Sequence, residues 1–242
     1  MAPKRPSLGH LYRRAKTFLF PYKRLEDESF YQALYIANPG MLEPGNLYCI
    51  DYAIRHLPTD DPMLEIGSFC GLSTNLITFL KRRHRRKNRL FACDKWQFDE
   101  TYRDVTAFDV VDYNDYQAFV RESFIRNVRF FSAHDLPYAM EMFSDEFFEY
   151  WRRGDTPRDL FGREVKLGGP LSFCYVDGNH AYDFARRDFE NTDHYLVRGG
   201  FILLDDSADH HPFGSADLMK EVRRRPDYEV VLKNPNYLLR KK

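Results

Sequence analysis

From residue 62 onward, short apolar runs alternate with stretches whose apolar positions recur at helical spacing. Runs of this kind predict strands at 62–66, 89–94, 128–132, 171–176, 201–204, 228–232 and 236–239. Helical stretches fall between them, from the turn after residue 66 to about residue 83, then at 113–125, 182–196 and 215–224. Gly199-Gly200 reads as the stop of the helix that precedes it. The last two strands flank the turn Lys233-Asn-Pro235. This order predicts an α/β fold, a Rossmann-like doubly wound sheet that is mostly parallel with an antiparallel C-terminal strand. Residues 1–60 read as a basic and aromatic arm followed by helices that pack on the core. Residues 61–242 read as the main domain, with insertions at 95–112 and 141–169. Connections of that length usually serve as lids, binding loops or interfaces. The second insertion is therefore also a candidate surface for a homo-oligomer.

Composition adds two points. Thirty-six Lys+Arg balance 36 Asp+Glu, so the formal net charge is zero. That speaks against a protein built to coat nucleic acid. The charge is segregated, however. Acids gather at the strand ends, and bases gather in two blocks. One is the arm, with Lys4, Arg5, Arg13, Arg14, Lys16, Lys23 and Arg24 before the first acid at Glu26. It reads either as a peripheral contact with an anionic membrane or as a packed terminal arm. The other, Lys81 to Arg89, reads as a solvated helix C-terminus, where cations meet the negative end of the dipole. The second point is the aromatic content of 16%, much of it in the two insertions. It suggests walls for a binding cleft or an aromatic-rich core. No apolar run reaches the ~18 residues of a membrane helix. The four cysteines show no paired or metal-ligand spacing, which suits small buried residues in a reducing, cytoplasmic setting.

In a sheet of this kind, ligands sit beyond the C-terminal ends of the strands. The first strand ends in Glu65-Ile-Gly-Ser-Phe-Cys-Gly-Leu-Ser73. Gly67 and Gly71 permit a tight turn and close backbone approach, the next helix offers free N–H groups, and Ser73 adds a hydroxyl. The spacing is neither G-x-G-x-x-G nor that of a P-loop, so a ligand ending in a carboxylate fits better than a pyrophosphate. Asp94 ends the next strand, 27 residues after Gly67, where an acid can accept both ribose hydroxyls of a nucleoside. Asp177, Asp205 and Asp206 end later strands that should be neighbours. Three carboxylates at one point call for a compensating cation, and a hard, oxygen-ligated Mg2+ suits them, with Ca2+ or Mn2+ as alternatives.

These motifs resemble the cofactor site of class I S-adenosylmethionine-dependent methyltransferases. The run from Glu65 to Ser73 with Asp94 is similar to that of the catechol O-methyltransferase-like group. Val176-Asp-Gly-Asn-His-Ala-Tyr182 and Gly199-Gly-Phe-Ile-Leu-Leu-Asp-Asp206 resemble the O-methyltransferases of methyltransferase family 24 that act on sugars and natural products. The resemblance covers residues 62–239. It implies transfer of a methyl group from S-adenosyl-L-methionine to a hydroxyl of a small acceptor, which is a sugar, a glycoside or a phenol. It implies cofactor contacts from Glu65, Gly67, Ser68, Gly71, Ser73 and Asp94, with Asp135 meeting adenine after the third strand. It implies metal ligation by Asp177, Asp205 and Asp206, the last replacing an Asn of the catechol group. His180 stands where the relatives carry a base, and a histidine suits proton removal from a hydroxyl acidified by a metal. His210 and His211 are rivals for that role. Trp96, Phe98 and Tyr102 could pack on the cofactor or in the core. A nicotinamide-dependent oxidoreductase is disfavoured by the missing G-x-G-x-x-G, and a non-catalytic adapter by the retained acids and base.

Overall fold

A computed structural model describes Leu25, residues 29–97 and residues 112–242. The basic arm, Phe98 and Tyr102 lie outside the described residues. The strands are β1 (Met63–Ile66), β2 (Leu90–Asp94), β3 (Tyr138–Glu141), β4 (Leu171–Val176), β5 (Leu196–Leu204), β6 (Tyr228–Lys233) and β7 (Tyr237–Lys241). The described helices are α1 (Ser29–Ala37), α2 (Pro44–Arg55), α3 (Leu72–Arg83), α4 (Tyr113–Phe131), α5 (Ser144–Arg153), α6 (Tyr182–Tyr195) and α7 (Gly214–Val222). The strands form one sheet in the order β3-β2-β1-β4-β5-β7-β6. β1 to β5 are parallel, and β7 is antiparallel to both β5 and β6. The order reverses between β1 and β4, which is where a doubly wound sheet opens a crevice. Among the described residues, no helix is long and apolar enough to cross a membrane.

β1 and β4 are buried at every position, as expected for central parallel strands covered on both faces. Alternation then divides their side chains between the faces. Leu64, Ile66, Cys174 and Val176 pack with α5, α6 and α7. Met63, Phe173 and Tyr175 pack with α1, α2 and α3 on the other face. All four cysteines are buried, and none forms a disulfide.

Two expectations require correction. Residues 128–131 belong to the end of α4, and the third strand is Tyr138–Glu141. Val120, Phe124 and Val128 are fully buried at four-residue spacing, which is a helical stripe, whereas Phe130 points out at 77% exposure. The Val-Arg-Phe-Phe run has strand-like composition, but the helical period prevails. Gly199 and Gly200 do not end α6. They lie inside β5, where the pairing with β4 shifts register, and Gly199 has a φ of 79°.

The 141–169 insertion also behaves differently from a cleft wall. Phe147, Phe148 and Trp151 of α5 are core residues, and the rings of Phe147 and Trp151 meet Phe91 in tilted and edge-on contacts. Beyond α5, the Leu160 N–H donates to the Ala139 carbonyl at 2.8 Å and so covers the free edge of β3. This part of the aromatic excess is packing. Trp151→Ala should cost about 3–5 kcal/mol through the cavity it leaves. Calorimetric unfolding should register this as a Tm lower by about 6–20 °C.

Candidate active site

The turn after β1 brings the first half of the site together. Gly67 and Gly71 take positive φ values of 83° and 87°, and Phe69 between them takes 44°. At Gly67 a Cβ would stand 1.9 Å from the Asp177 carbonyl oxygen. Glycine there lets the β1 turn touch the end of β4, which joins the two halves of the site. Asp94, at the end of β2, organises the same turn. Its Oδ2 accepts from the N–H groups of Ser68 (2.8 Å) and Phe69 (3.0 Å), and its Oδ1 from that of Trp96 (2.7 Å). Burial raises the Asp94 pKa, and these amides pull it back. Trp96 is a core residue that buttresses the turn, with its indole N–H on the Phe69 carbonyl at 2.9 Å.

Glu65 lies beneath this turn and is fully buried. Its Oε2 accepts from Ser68 Oγ at 3.1 Å and from Thr74 Oγ1. Its Oε1 is buried with no hydrogen-bond partner among the described residues. Burial pushes the Glu65 pKa up to about 7, against the pull of the hydroxyls. A buried acceptor oxygen of this kind is costly unless something donates to it. It fits the ammonium of an amino-acid ligand, and the glycine turn beside it leaves backbone room. Ser73 is buried in the first turn of α3, next to these groups.

The second half stands at the ends of β4 and β5. Asp177, His180 and Asp205 offer ligand atoms that all lie within 4.8 Å of one another. Burial and the neighbouring Asp205 push the Asp177 pKa well above its ordinary value. His180 Nε2 is 3.4 Å from Asp177 Oδ1, and its Nδ1 pairs with Asp206 Oδ2. Burial opposes charge on His180, but Asp177 and Asp206 prevail and raise its pKa to about 10. In this arrangement the imidazolium is itself the positive charge that compensates the acids. Two carboxylates and an imidazole also form a donor set that fits a divalent cation.

Asp206 does not join this cluster. It takes a left-handed φ of 49°, which directs its carboxylate to His180 and to His211 Nδ1 at 3.3 Å. Three acids in sequence thus become two acids and a histidine in space, with the third acid behind the histidine. His210 is exposed beside His211, with ring centroids 4.6 Å apart.

Asp135 is not brought to the site. It precedes β3, at the opposite edge of the sheet, and pairs with the buried Lys81 at 2.7 Å. The adenine contact expected of Asp135 assumed a strand at 128–132, whereas the third strand follows Asp135. The residues that follow β3 are Met142, whose N–H donates to the Asp94 carbonyl at 3.1 Å, and the exposed Phe143. The sequence reading also missed Phe213, whose ring meets His180 edge-on at 5.4 Å, and the amide donors on Asp205 discussed below. No local pattern marks them, since each reaches the site from a distant segment.

A methyltransferase-domain family model, methyltransferase family 24, matches residues 64–207, which include both halves of the site. No curated protein matches the chain. Among solved structures, the chain is similar to the O-methyltransferase TomG of Streptomyces achromogenes, involved in tomaymycin synthesis and solved with S-adenosylmethionine. The TM-score is 0.55 at 13% identity, over 98% of this chain and 100% of that one. It is similar to CalS11, a TDP-rhamnose 3'-O-methyltransferase of calicheamicin biosynthesis, with a TM-score of 0.54 at 16% identity over 98% and 96%. An O-methyltransferase of Bacillus cereus bound to S-adenosylhomocysteine gives 0.53 at 12% identity over 96% and 97%. At such identities the likeness speaks for the fold. The family match spans more than half of the chain and coincides with the strand ends that carry the site, so the chain belongs to this family and is an S-adenosylmethionine-dependent methyltransferase of class I fold.

Proposed function

We propose that the protein is a metal-dependent O-methyltransferase acting on a hydroxyl of a sugar, a glycosylated natural product or a phenol. The observation that carries this reading is the Asp177, His180 and Asp205 cluster beside the Gly67 turn. S-adenosylmethionine supplies an electrophilic methyl group on its sulfonium, and a divalent cation supplies the charge that lowers the pKa of the acceptor hydroxyl. Asp177 and Asp205 are the cation's ligands in this reading. Asp206 accepts from His180 Nδ1–H, and a cation on Asp177 and Asp205 would offset the negative charge that keeps the second proton on the ring, so that Nε2 would then be free to receive the acceptor's proton. Glu65 receives the cofactor's ammonium, Asp94 its ribose hydroxyls and Ser73 its carboxylate. Gly67, Ser68 and Gly71 let the backbone pass close to it. Phe143, which follows the Met142 amide that donates to Asp94 and lies beside Lys95, takes the adenine role first expected of Asp135. The TDP-rhamnose activity named for CalS11 supports a sugar acceptor.

Transfer of labelled methyl from S-adenosylmethionine to a panel of sugars, glycosides and phenols tests the reaction. Product should form on at least one class of hydroxyl. Chelation or Asp205→Ala should lower the rate by at least about 100-fold, in line with loss of a major electrostatic contribution. Full activity after both treatments would overturn the metal step while leaving a methyltransferase. Absence of transfer to any hydroxyl would overturn the O-methyl reading.

A pH dependence follows from Glu65. Its carboxyl has a pKa of about 7 in the protein without ligand, and it must be ionised to receive an ammonium. Affinity for S-adenosylhomocysteine should therefore rise from about pH 6 to about pH 7.5, below the ~7.7–8.0 at which an α-amino group loses its charge. Glu65→Gln should bind about 10-fold or more weakly at the upper end, with a flatter profile, as expected on losing a charged hydrogen bond. Calorimetric titration at several pH values checks both.

A further inference from the structure

Asp205 is held by two side-chain amides that come from outside the family-matched residues 64–207. Asn46, in the first turn of α2, donates through Nδ2 to Asp205 Oδ1. Asn236, just before β7, donates to the same oxygen at 2.7 Å. Asn236 Nδ2 also lies 3.1 Å from Asn46 Oδ1, and Asn46 Nδ2 lies 3.3 Å from the Tyr175 hydroxyl. Asn46, Asn236 and Tyr175 are each 0% exposed. The junction is braced on either side. The Asn234 amide donates to the Gly45 carbonyl at 3.1 Å. A Cβ on Gly45 would lie 1.8 Å from the Asn234 carbonyl oxygen, so only glycine lets α2 start this close to the turn before β7. The Ala208 N–H, beyond Asp205, donates to Asn236 Oδ1 at 3.0 Å.

We infer that Asn46 and Asn236 are positioning residues for the cation site. Through them, the N-terminal helices and the C-terminal hairpin complete a centre that the family segment does not complete alone. The inference rests on the metal reading proposed above. The chemistry is selective. Two donors on Oδ1 occupy its lone pairs and leave Oδ2 as the oxygen for a cation. Amides fix geometry without adding charge, so the negative charge of Asp205 stays available. A lysine or arginine in either place would neutralise it and compete with the metal.

Cation affinity of the full chain, measured by calorimetric titration with Mn2+, is the test, with Tm recorded for every variant. Asn46→Ala and Asn236→Ala should each weaken Mn2+ binding by about 10- to 100-fold, as loss of partners behind a metal ligand does. Tyr175→Phe removes one hydroxyl from the junction, keeps the ring and should weaken binding several-fold. If Asn46→Ala does not fold, Asn236→Ala decides the matter, since the Tyr175 hydroxyl also acts on Asp177. Asn88→Ala is the control. Asn88 is a buried amide that binds the Thr59 and Asp61 carbonyls, well outside the site, so it should lower Tm and leave Mn2+ affinity unchanged. Wild-type affinity in the Asn46, Asn236 and Tyr175 variants would overturn the inference, as would equal weakening in Asn88→Ala. No Mn2+ binding by the wild-type chain would instead overturn the metal reading itself, and the inference with it.

Discussion

Asp177 and Asp205 end two neighbouring parallel strands, and parallel pairing leaves their carboxyl groups little freedom to separate. Like charges at such a distance, largely removed from water, oppose each other unless a positive charge lies between them. The surroundings follow from that constraint. His180 leans on Asp177 and carries a proton to well above neutrality. Asp206 turns through a left-handed conformation to hold the other side of the imidazole. Asn46 and Asn236 hold Asp205 with uncharged donors, which keep its geometry and leave its charge unspent. In the proposed reading this arrangement is a socket for a cation, and the protonated histidine supplies the compensating positive charge without one.

The cofactor half meets the acid half where the ends of β1 and β4 pair. Gly67 lies against the backbone of Asp177, with no room for a side chain between them. Any shift of the β4 end is therefore felt by the turn that Asp94 organises. Glu65 lies at the bottom of that turn with one oxygen unanswered, and it pairs in the sheet with Tyr175, the residue whose hydroxyl meets Asn46. Both halves thus share one short stretch of the β1/β4 ladder. Alignment of a methyl donor with a hydroxyl acceptor requires a shared rigid frame of this kind.

Much of this was legible in the sequence because parallel sheets follow a simple rule. Strand ends point at ligands, so Glu65, Gly67, Asp94, Asp177 and Asp205 could be assigned to one edge before any contact was known. Errors arose where composition and period disagree. Val128-Arg-Phe-Phe has the residues of a strand but completes the buried stripe begun by Val120 and Phe124. Misplacing that strand carried Asp135 to the wrong edge. Asp206 was grouped with Asp205 because it is adjacent in sequence, yet adjacent residues leaving a strand diverge. The amides of Asn46 and Asn236 had no sequence signal, since Asn46 lies 159 residues from its partner. The aromatic excess divided. Phe147, Phe148 and Trp151 went to the core, and Phe213 went to the site.

The most direct test of the central constraint is thermal unfolding of the wild-type chain across a titration of Mg2+. If Asp177 and Asp205 form a cation socket, Tm should climb with Mg2+ and gain about 2.7 kcal/mol of stability at about 100 times Kd, while Asp177→Asn should respond little. A wild-type Tm that is flat across the titration, or a rise equally large in Asp177→Asn, would contradict the account.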